Sequence, residues 1–524
     1  MAQPEAASRH QRLSEDISMI RWTLIVVAAL LIPLTAAAAD RLNVLLITVD
    51  DMSADSLGAF GCKLADTSPN IDRLASQGLR FNYAHVQVAN CMPSRNVLLS
   101  GRYPHNNRVE GFYQVPDVDY PLLPDLLKSA GYFTAIRGKV GHSTPYTPYG
   151  WDLVLDRLPV GQRAERKDIA SYKTSTEQGI GAAKTAGKPF CLLINISDPH
   201  KPFYGEGPRG RPVRDPHVPS RVFAPEEVPI PGFLFDDPVV RKELASYYSS
   251  VRRADDCVGG VLEALDASGE ADRTVVFFLS DHGMPLPFAK TQLYHHSTRT
   301  PLVVRWPGVT SPGKQDEQHM VSAVDFLPTV LDVLGMPHPP GLDGRSFAPL
   351  LHGTAQKDRE MVFKEYNENA GGFRAPMRAV QTKRFLYIFS PWSDGERVMR
   401  TATQGTATYR RMKQLAPSDP DIAQRLDLFD HRVVEEFYDV KNDPDCLRNL
   451  IEDPAQEKEG ERLRESLEAW MTKTADPMLK VFQQRNDPAA READMKRVEK
   501  EAASRVKDRR PRTNRRRSRV QEQG

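Results

Sequence analysis

The chain has 524 residues, of which 40% are hydrophobic and 26% are charged, and its formal net charge is +2. This composition excludes collagen-like, low-complexity and intrinsically disordered chains and is typical of a soluble globular protein with a large core. The five cysteines are too few for a dense disulfide framework, lack the close spacing of a zinc site and allow no unique pairing: Cys62, Cys91, Cys191, Cys257 and Cys446.

The N-terminal segment has the pattern of an export signal. Arg21 precedes an apolar run at residues 22–34, and small residues typical of a cleavage site follow that run. Because the run is too short for a comfortable membrane span, we predict a signal peptide over residues 1–39 that is cleaved near Ala39. An uncleaved anchor is the alternative, and Met19 is a second candidate for the translation start.

The first strand predicted after the signal covers residues 43–49, a short apolar run rich in branched side chains. Such a run is typical of a strand that is buried on both faces. It ends in Asp50 and Asp51, and two adjacent carboxylates beside a core need a cation or hydrogen bonds to compensate them. Alone, the pair is more typical of a helix cap or a turn, so a metal site requires partners elsewhere.

The segment 90–95, Asn-Cys-Met-Pro-Ser-Arg, predicts the start of a helix, because Pro93 fits a first turn where its missing N–H costs nothing. Cys91 would lie in the positive field of the helix dipole, with Arg95 one turn further on. This arrangement indicates a site for an anion. A small buried residue before an ordinary helix is the alternative.

Three more strands are predicted at residues 132–136, 190–195 and 274–279, and each leads into polar residues. In an open α/β sheet, ligands bind beyond the carboxyl ends of the strands, so these residues are expected to share one site with the Asp50 pair. The polar residues are Lys139 and His142, then Asp198 and His200, then Asp281 and His282.

Helical spacing of apolar residues at 68–78, 122–130 and 244–265 separates the strands. This alternation predicts an α/β fold with a mostly parallel central sheet flanked by helices. Residues 205–237, rich in proline and glycine, are expected to form a long loop at the site. No internal repeat is evident.

The pattern changes after residue 350. Two adjacent strands at 378–382 and 384–389, a third at 436–440 and a helix at 461–474 predict an antiparallel sheet with a helix. We therefore predict a catalytic domain over residues 40–358 and a smaller C-terminal α+β domain over residues 359–480.

The C-terminal end is strongly basic, with twelve Lys and Arg against four Asp and Glu from Lys496 onward. Residues 509–519 have almost no apolar side chains and cannot bury enough surface to fold alone. We predict a basic, disordered tail over residues 481–524. Contact with a polyanionic glycan or a cell surface is a possible role, whereas no nucleic acid is expected as a partner of an exported protein.

The pattern Cys91-x-Pro93-Ser94-Arg95, followed by Leu-Ser-Gly-Arg at 99–102, resembles the signature of the type I sulfatases. The resemblance covers nearly the whole mature chain and implies an alkaline-phosphatase-like sandwich. Within this family the chain is most similar to the heparan N-sulfatases, also called N-sulfoglucosamine sulfohydrolases or sulfamidases. The residues that carry this similarity are 198–200, 280–287, 290–294 and 376–381.

The resemblance implies that a maturation enzyme oxidises Cys91 to formylglycine, an aldehyde whose hydrate attacks the sulfur of a sulfate ester or sulfamate. It also implies a calcium ion held by Asp50, Asp51, Asp281 and His282 and contacted by residue 91. Calcium prefers oxygen ligands, and many family members have asparagine where this chain has His282. The identity of the metal therefore stays open, and a purely hydrogen-bonding His282 is the alternative.

In-line attack on a sulfuryl group requires fixed cations near its oxygens, and the candidates are the metal, Arg95, Lys139 and Lys290. His142 is the candidate base that regenerates the aldehyde, and His200 with Lys290 is the candidate donor of a proton to the leaving atom. Taken singly, each lysine would be typical of a solvated surface. The adjacent His295 and His296 are interpreted as surface or substrate-loop residues.

We therefore expect an exported sulfatase that acts on a sulfated glycan, most similar to an N-sulfoglucosamine sulfohydrolase. Two departures weaken the N-sulfatase assignment. Sulfamidases, which this chain resembles, carry an arginine where this chain has Lys290, and their spacing is tighter than that between Lys139 and His142. The alternatives are an O-sulfatase of the iduronate-2-sulfatase or arylsulfatase kind, a phosphoesterase or phosphonate monoester hydrolase, and a non-catalytic glycan-binding protein. The oligomeric state stays open.

Overall fold

The computed structural model describes residues 41–159, 161–207 and 210–508. The predicted signal peptide and the most basic part of the predicted tail, residues 509–524, lie outside the described residues. The described residues from Leu42 onward belong to one compact unit. None of the five cysteines forms a disulfide, and none of the described helices is long and apolar enough to cross a membrane.

Two sheets and one parallel two-stranded pair organise the described chain. The strands are β1 (Asn43–Asp50), β2 (Leu79–Phe81), β3 (Ala84–His85), β4 (Phe133–Arg137), β5 (Leu153–Val154), β6 (Phe190–Pro199), β7 (Thr274–Ser280), β8 (Leu302–Arg305), β9 (Lys314–Asp316), β10 (Val321–Ser322), β11 (Met361–Asn369), β12 (Phe373–Thr382), β13 (Phe385–Phe389) and β14 (Glu435–Asp439).

The central sheet has eight strands in the order β5-β4-β6-β1-β7-β8-β2-β9. All neighbours are parallel except β7 with β8 and β8 with β2. Every residue of β1 is buried, as expected for a continuous apolar run in the middle of a sheet that is covered on both faces. The prediction of a mostly parallel α/β sheet is confirmed.

The helices of the described chain cover this sheet and connect its strands. They are α1 (Pro69–Ser76), α2 (Cys91–Ser100), α3 (Pro104–Asn107), α4 (Leu123–Ser129), α5 (Val140–Ser143), α6 (Ile169–Thr185), α7 (Pro238–Ala267), α8 (His295–Thr298), α9 (Phe326–Val333), α10 (Ala348–Leu351), α11 (Ala407–Leu415), α12 (Pro420–His431), α13 (Glu457–Lys473), α14 (Leu479–Gln483) and α15 (Pro488–Asp508).

Helix α7 shows how local sequence sets an element that supports the site. The Asp237 side chain accepts a hydrogen bond from the backbone N–H of Val239, and Pro238 occupies the first helical position. The helix then runs for 30 residues and packs against α6 and β6. It therefore places its buried face behind the strand that leads to His200.

The second sheet is antiparallel throughout, in the order β11-β12-β13-β14, and α13 and α15 pack against β12. This confirms the small antiparallel sheet predicted after residue 350, although β11 was not predicted. The proposed domain boundary at residue 358 falls just before β11 and stays a prediction.

The predicted disordered tail is wrong over residues 481–508, which include the end of α14 and all of α15. In α15, Met495, Val498 and Ala502 are buried, and their spacing of three and four residues places them on one face of the helix. That narrow apolar stripe packs against β12 and orders a segment whose composition is otherwise charged.

Candidate active site

The site lies where β1, β6 and β7 end beside the start of α2. In the sheet, Asp50 at the end of β1 pairs with Pro199 of β6, and Val49 pairs with Ser280 of β7. Parallel strands present their carboxyl ends at one edge, so the residues that follow these strands are brought together there. The structure therefore gathers Asp50, Asp51, Asp281 and His282 around residue 91.

Cys91 is the first residue of α2 and is 2% exposed. Its Sγ lies 3.2 Å from His282 Nε2, 3.5 Å from Asp50 Oδ1 and 4.0 Å from Lys290 Nζ. Burial raises the pKa of the Cys91 thiol well above its usual value, and the charge of Asp50 adds to this effect. The unmodified thiol thus keeps its proton and is a weak nucleophile near neutral pH, despite the helix start.

Arg95, one turn further along α2, is buried in a polar cage. Its Nε donates to Asp281 Oδ2 at 3.0 Å, and Nη1 donates to Thr48 Oγ1 and Asn195 Oδ1, both at 2.8 Å. The other oxygen of Asp281 accepts a hydrogen bond from the backbone N–H of Asp51 at 3.1 Å. Both oxygens of Asp281 are therefore engaged by protein groups.

Two lysines neutralise the adjacent aspartates. Lys139 Nζ contacts Asp50 Oδ2, and Lys290 Nζ donates to both oxygens of Asp51 at 2.7 and 2.8 Å. Burial alone would raise the pKa of Asp50, but the charge of Lys139 holds it well below its usual value. Burial likewise opposes the charge on Lys290, yet Asp51 raises the pKa of that lysine above its ordinary value. Neither lysine is a solvated surface residue.

The backbone is in a left-handed conformation at two of these positions, with φ of 72° at Asp51 and 50° at Lys139. Such conformations are costly for residues other than glycine, and they concentrate at functional sites where the surroundings enforce them. Here the ion pairs of both side chains supply that enforcement.

His142 and His200 border the same site. His142 packs edge-on against the Phe112 ring at 5.4 Å, and burial, reinforced by Lys139, lowers its pKa to about 4. His200 donates from Nδ1 to the Lys201 carbonyl at 2.7 Å, and burial lowers its pKa although Asp51 and Asp50 oppose the shift. Both imidazoles are therefore neutral near pH 7 and can accept a proton.

Four buried side chains converge as a candidate metal centre. The ligand atoms of Asp50, Asp51, Cys91 and His282 all lie within 4.8 Å of one another. Asp281 is outside this group because its carboxylate faces Arg95 and the Asp51 amide. Two carboxylates fit a calcium ion, and an oxygen at residue 91 in place of sulfur would add a third oxygen donor.

His295 and His296 are largely buried, so the interpretation of this pair as surface residues is wrong, and the alternative of substrate-loop residues stays a prediction. His295 is 8% exposed, and its Nδ1 lies 2.8 Å from the amide of Gln381. His296 lies between Asp55 and Asp445, at 3.4 and 3.2 Å. These distant acidic partners leave no local pattern in the sequence.

Sequence reasoning also missed Lys167 and Arg253, which both contact the carboxylate of Asp198 two residues before His200. Arg253 is buried and additionally contacts Asp215 in the long loop over residues 205–237. A single lysine and a single arginine, far apart in the chain, carry no motif that would have identified them.

Comparisons with known proteins agree with this site. The sulfatase family model matches residues 42–336, and the model for the C-terminal region of N-sulphoglucosamine sulphohydrolase matches residues 281–394. The N-sulphoglucosamine sulphohydrolase of Homo sapiens is 31% identical over 498 residues, which cover 86% of this chain and 93% of that protein. The iduronate 2-sulfatase of Mus musculus is 32% identical over 394 residues, covering 58% and 70%.

The fold has solved counterparts. The structure of a 2-O GAG sulfatase superposes with a TM-score of 0.61 at 22% identity and covers 86% of this chain and 96% of that one. This similarity confirms the alkaline-phosphatase-like fold. The sequence match over 86% of the chain and the site around Cys91 lead to one conclusion: the chain belongs to the sulfatase family and is a sulfatase.

Proposed function

We propose that this protein is an exported N-sulfoglucosamine sulfohydrolase that removes sulfate from a heparan-like glycan, using formylglycine at position 91 and a bound calcium ion. The observation that carries the proposal is the placement of Cys91 at the start of α2, between Asp50, His282 and Lys290. The 31% identity to the human N-sulphoglucosamine sulphohydrolase supports the sulfamate as substrate.

Fixed cations beside residue 91, each paired with an aspartate, are the feature of the site that suits a sulfuryl group. A sulfuryl group carries negative charge on three oxygens. The side chains of Arg95, Lys139 and Lys290 place fixed positive charges around residue 91. Their ion pairs orient these cations before substrate arrives. When present, hydrated formylglycine would supply the attacking oxygen, and calcium held by Asp50, Asp51 and His282 would supply further positive charge.

Two proton transfers complete the reaction. His142, neutral because of its low pKa, accepts the proton whose removal regenerates the resting site and releases sulfate. His200 and Lys290 are the candidate donors to the leaving nitrogen. Lys290 carries a proton in its ion pair with Asp51, and a bound sulfuryl anion favours protonation of His200.

Maturation is expected to precede folding, since the Cys91 side chain is 2% exposed in the folded chain and offers an oxidising enzyme almost no access. A formylglycine-generating enzyme is therefore a required partner, and it must meet the chain before α2 packs. The apolar run at residues 22–34 supports export of the same chain.

The proposal is tested by sulfate release from N-sulfoglucosamine beside 6-O-sulfated glucosamine, with a matched phosphate ester as a third substrate and Cys91→Ala as the blank. We expect preferential release from the sulfamate. Release only from the ester would move the protein to the O-sulfatases, which the lysine at position 290 and the similarity to iduronate 2-sulfatase favour as second candidate. Release of phosphate alone would contradict both assignments.

A further inference from the structure

The segment Asp198-Pro199-His200 is held by two cations that the reaction itself does not use. Arg253 Nε donates to Asp198 Oδ2 at 2.6 Å, and Arg253 Nη2 donates to Oδ1 at 3.2 Å. Lys167 Nζ donates to the same Oδ1 at 2.6 Å. Both oxygens of Asp198 are occupied, so this carboxylate anchors the segment and does not face the substrate.

Lys167 also holds the backbone on the far side of Asp198. Its Nζ donates to the His200 carbonyl at 2.7 Å and to the Pro202 carbonyl at 2.9 Å. The Lys167 ammonium group therefore binds the chain both before and after the His200 imidazole. Together with the hydrogen bond from His200 Nδ1 to the Lys201 carbonyl, these contacts restrain the imidazole.

Arg253 connects this anchor to the long loop. Its Nη1 donates to Asp215 Oδ2 and to the His217 carbonyl, both at 2.7 Å. The side chain of Arg253 is 0% exposed and projects from the middle of α7. Arg253 thus links the loop over residues 205–237 to the segment that carries His200.

We propose that Lys167 and Arg253 are positioning residues that, through Asp198, hold His200 where it hands a proton to the leaving nitrogen or oxygen of the substrate. The proposal rests on the proposed function for the role of His200. Beyond that role, the proposal assigns the residues that hold His200 in place and their link to the loop over residues 205–237. Charged hydrogen bonds with good geometry are strong enough to fix such a segment.

The two anchors differ in what their removal does to the fold. The Lys167 side chain is 18% exposed, and without it Asp198 keeps both hydrogen bonds from Arg253. Without Arg253, the buried carboxylate of Asp198 loses two of its hydrogen bonds and the partly exposed carboxylate of Asp215 loses its ion pair, and removing a partner from a buried charge destabilises folded proteins strongly. Lys167→Met is therefore the informative variant. Arg253→Lys is a second variant, and its thermal stability is measured together with its activity.

The test uses two substrates whose leaving groups differ in their need for a proton. An amine or alkoxide leaving from N-sulfoglucosamine or a sugar sulfate needs one, whereas 4-nitrophenolate leaving from 4-nitrophenyl sulfate does not. In Lys167→Met we expect kcat on the sugar substrate to fall roughly ten- to a hundredfold, with kcat on 4-nitrophenyl sulfate within about twofold of the wild type. Lys167→Arg should restore most of the loss.

Lys173→Met is the matched control, because Lys173 lies on α6 and pairs with Glu263 away from His200. An equal fall on both substrates in Lys167→Met would mean a general structural defect and would overturn the proposal, as would unchanged kinetics on both. If the wild type releases sulfate only from the 6-O ester, the proposed sulfamate specificity fails, and the same comparison then runs with that ester.

A measurement without turnover separates the two proposals further. In Cys91→Ala protein, the imidazole signals of His200, assigned by their loss in His200→Gln, report its surroundings by NMR. We expect Lys167→Met to shift and broaden these signals, Lys167→Arg to restore them and Lys173→Met to leave them unchanged. Identical His200 signals in all four proteins would contradict the positioning role, whatever the substrate is.

Discussion

Lys290 Nζ lies 2.7 and 2.8 Å from the two carboxylate oxygens of Asp51, and both side chains are buried. The lysine is also 4.0 Å from Cys91 Sγ, so its charge faces a candidate metal ligand and the candidate nucleophile together. An ammonium group held in this way needs no reorganisation when a sulfuryl group arrives.

Replacement of the Lys290 ammonium group is expected to lower kcat directly. Lys290→Met should lower kcat for sulfate release by about a hundred- to a thousandfold, the range for one oriented charge in a buried site. Lys290→Arg keeps the charge and should retain more activity than Lys290→Met. Steady-state kinetics on the preferred sulfated sugar check this, and a Met variant with the wild-type kcat would show that Lys290 acts only in folding.

Cys91→Ala is expected to abolish turnover and leave the fold intact. Residue 91 supplies the attacking oxygen in this account, whereas the loss of one buried sulfur atom costs at most about 2 kcal/mol of unfolding free energy. Sulfate release and urea unfolding are measured on the same preparation. Wild-type turnover in Cys91→Ala would place the nucleophile elsewhere, and loss of the folded state would make residue 91 a structural residue.

The pH profile should identify His142 as the base. A base must be neutral to accept a proton, and the pKa of His142 is lowered to about 4 by burial and by Lys139. Its contribution to the acid limb of kcat is therefore expected at about pH 4, well below the ordinary histidine value.

His142→Gln should release the desulfated sugar once per site and then slow by about a hundredfold or more, because the second step lacks its base. Rapid-quench kinetics measure this burst. His431→Gln, on an exposed pair with Asp427, is the matched control and should behave as the wild type. Slow turnover without a burst would assign His142 to the first step.

His296 is expected to make stability depend on alkaline pH. Burial opposes its charge, but the ion pairs with Asp445 and Asp55 raise the pKa of His296 to about 9. A raised pKa contributes stability that is complete below the unfolded pKa of about 6.5 and is lost as the pH rises through the folded value. The contribution below pH 6.5 amounts to about 3 kcal/mol.

His296→Gln should therefore lose roughly that unfolding free energy at about pH 6 and little of it above about pH 10, as measured by urea unfolding. His338→Gln removes a more exposed pair with Asp332 and is expected to cost at most about 1 kcal/mol. A His296→Gln deficit that is equal at both pH values would contradict the charged state of His296.

The central sheet and the gathering of the site could be predicted because their signals are local. The buried run at 43–49 ends in Asp50, Pro93 marks the start of α2, and parallel strands must present their ends at one edge. These patterns lie within a few residues of the side chains that they place.

The remaining features depend on partners that are distant in the sequence. Lys167 is 31 positions from Asp198, and Arg253 is 55 positions from it. Long-range ion pairs of this kind carry no period or spacing. Helix α15 was not predicted because its sequence has many charged residues. The buried Met495, Val498 and Ala502 nevertheless form an apolar stripe that a search at helical spacing would have detected.

The most direct test of the account is the mass of the peptide that contains residue 91, from the secreted protein that releases sulfate. We predict a mass lower than that of the cysteine peptide, because the aldehyde of formylglycine replaces the CH₂–SH group, and a reaction with hydroxylamine or another carbonyl reagent. An unmodified cysteine at position 91 in fully active protein would contradict the central claim that the oxidised residue is the nucleophile.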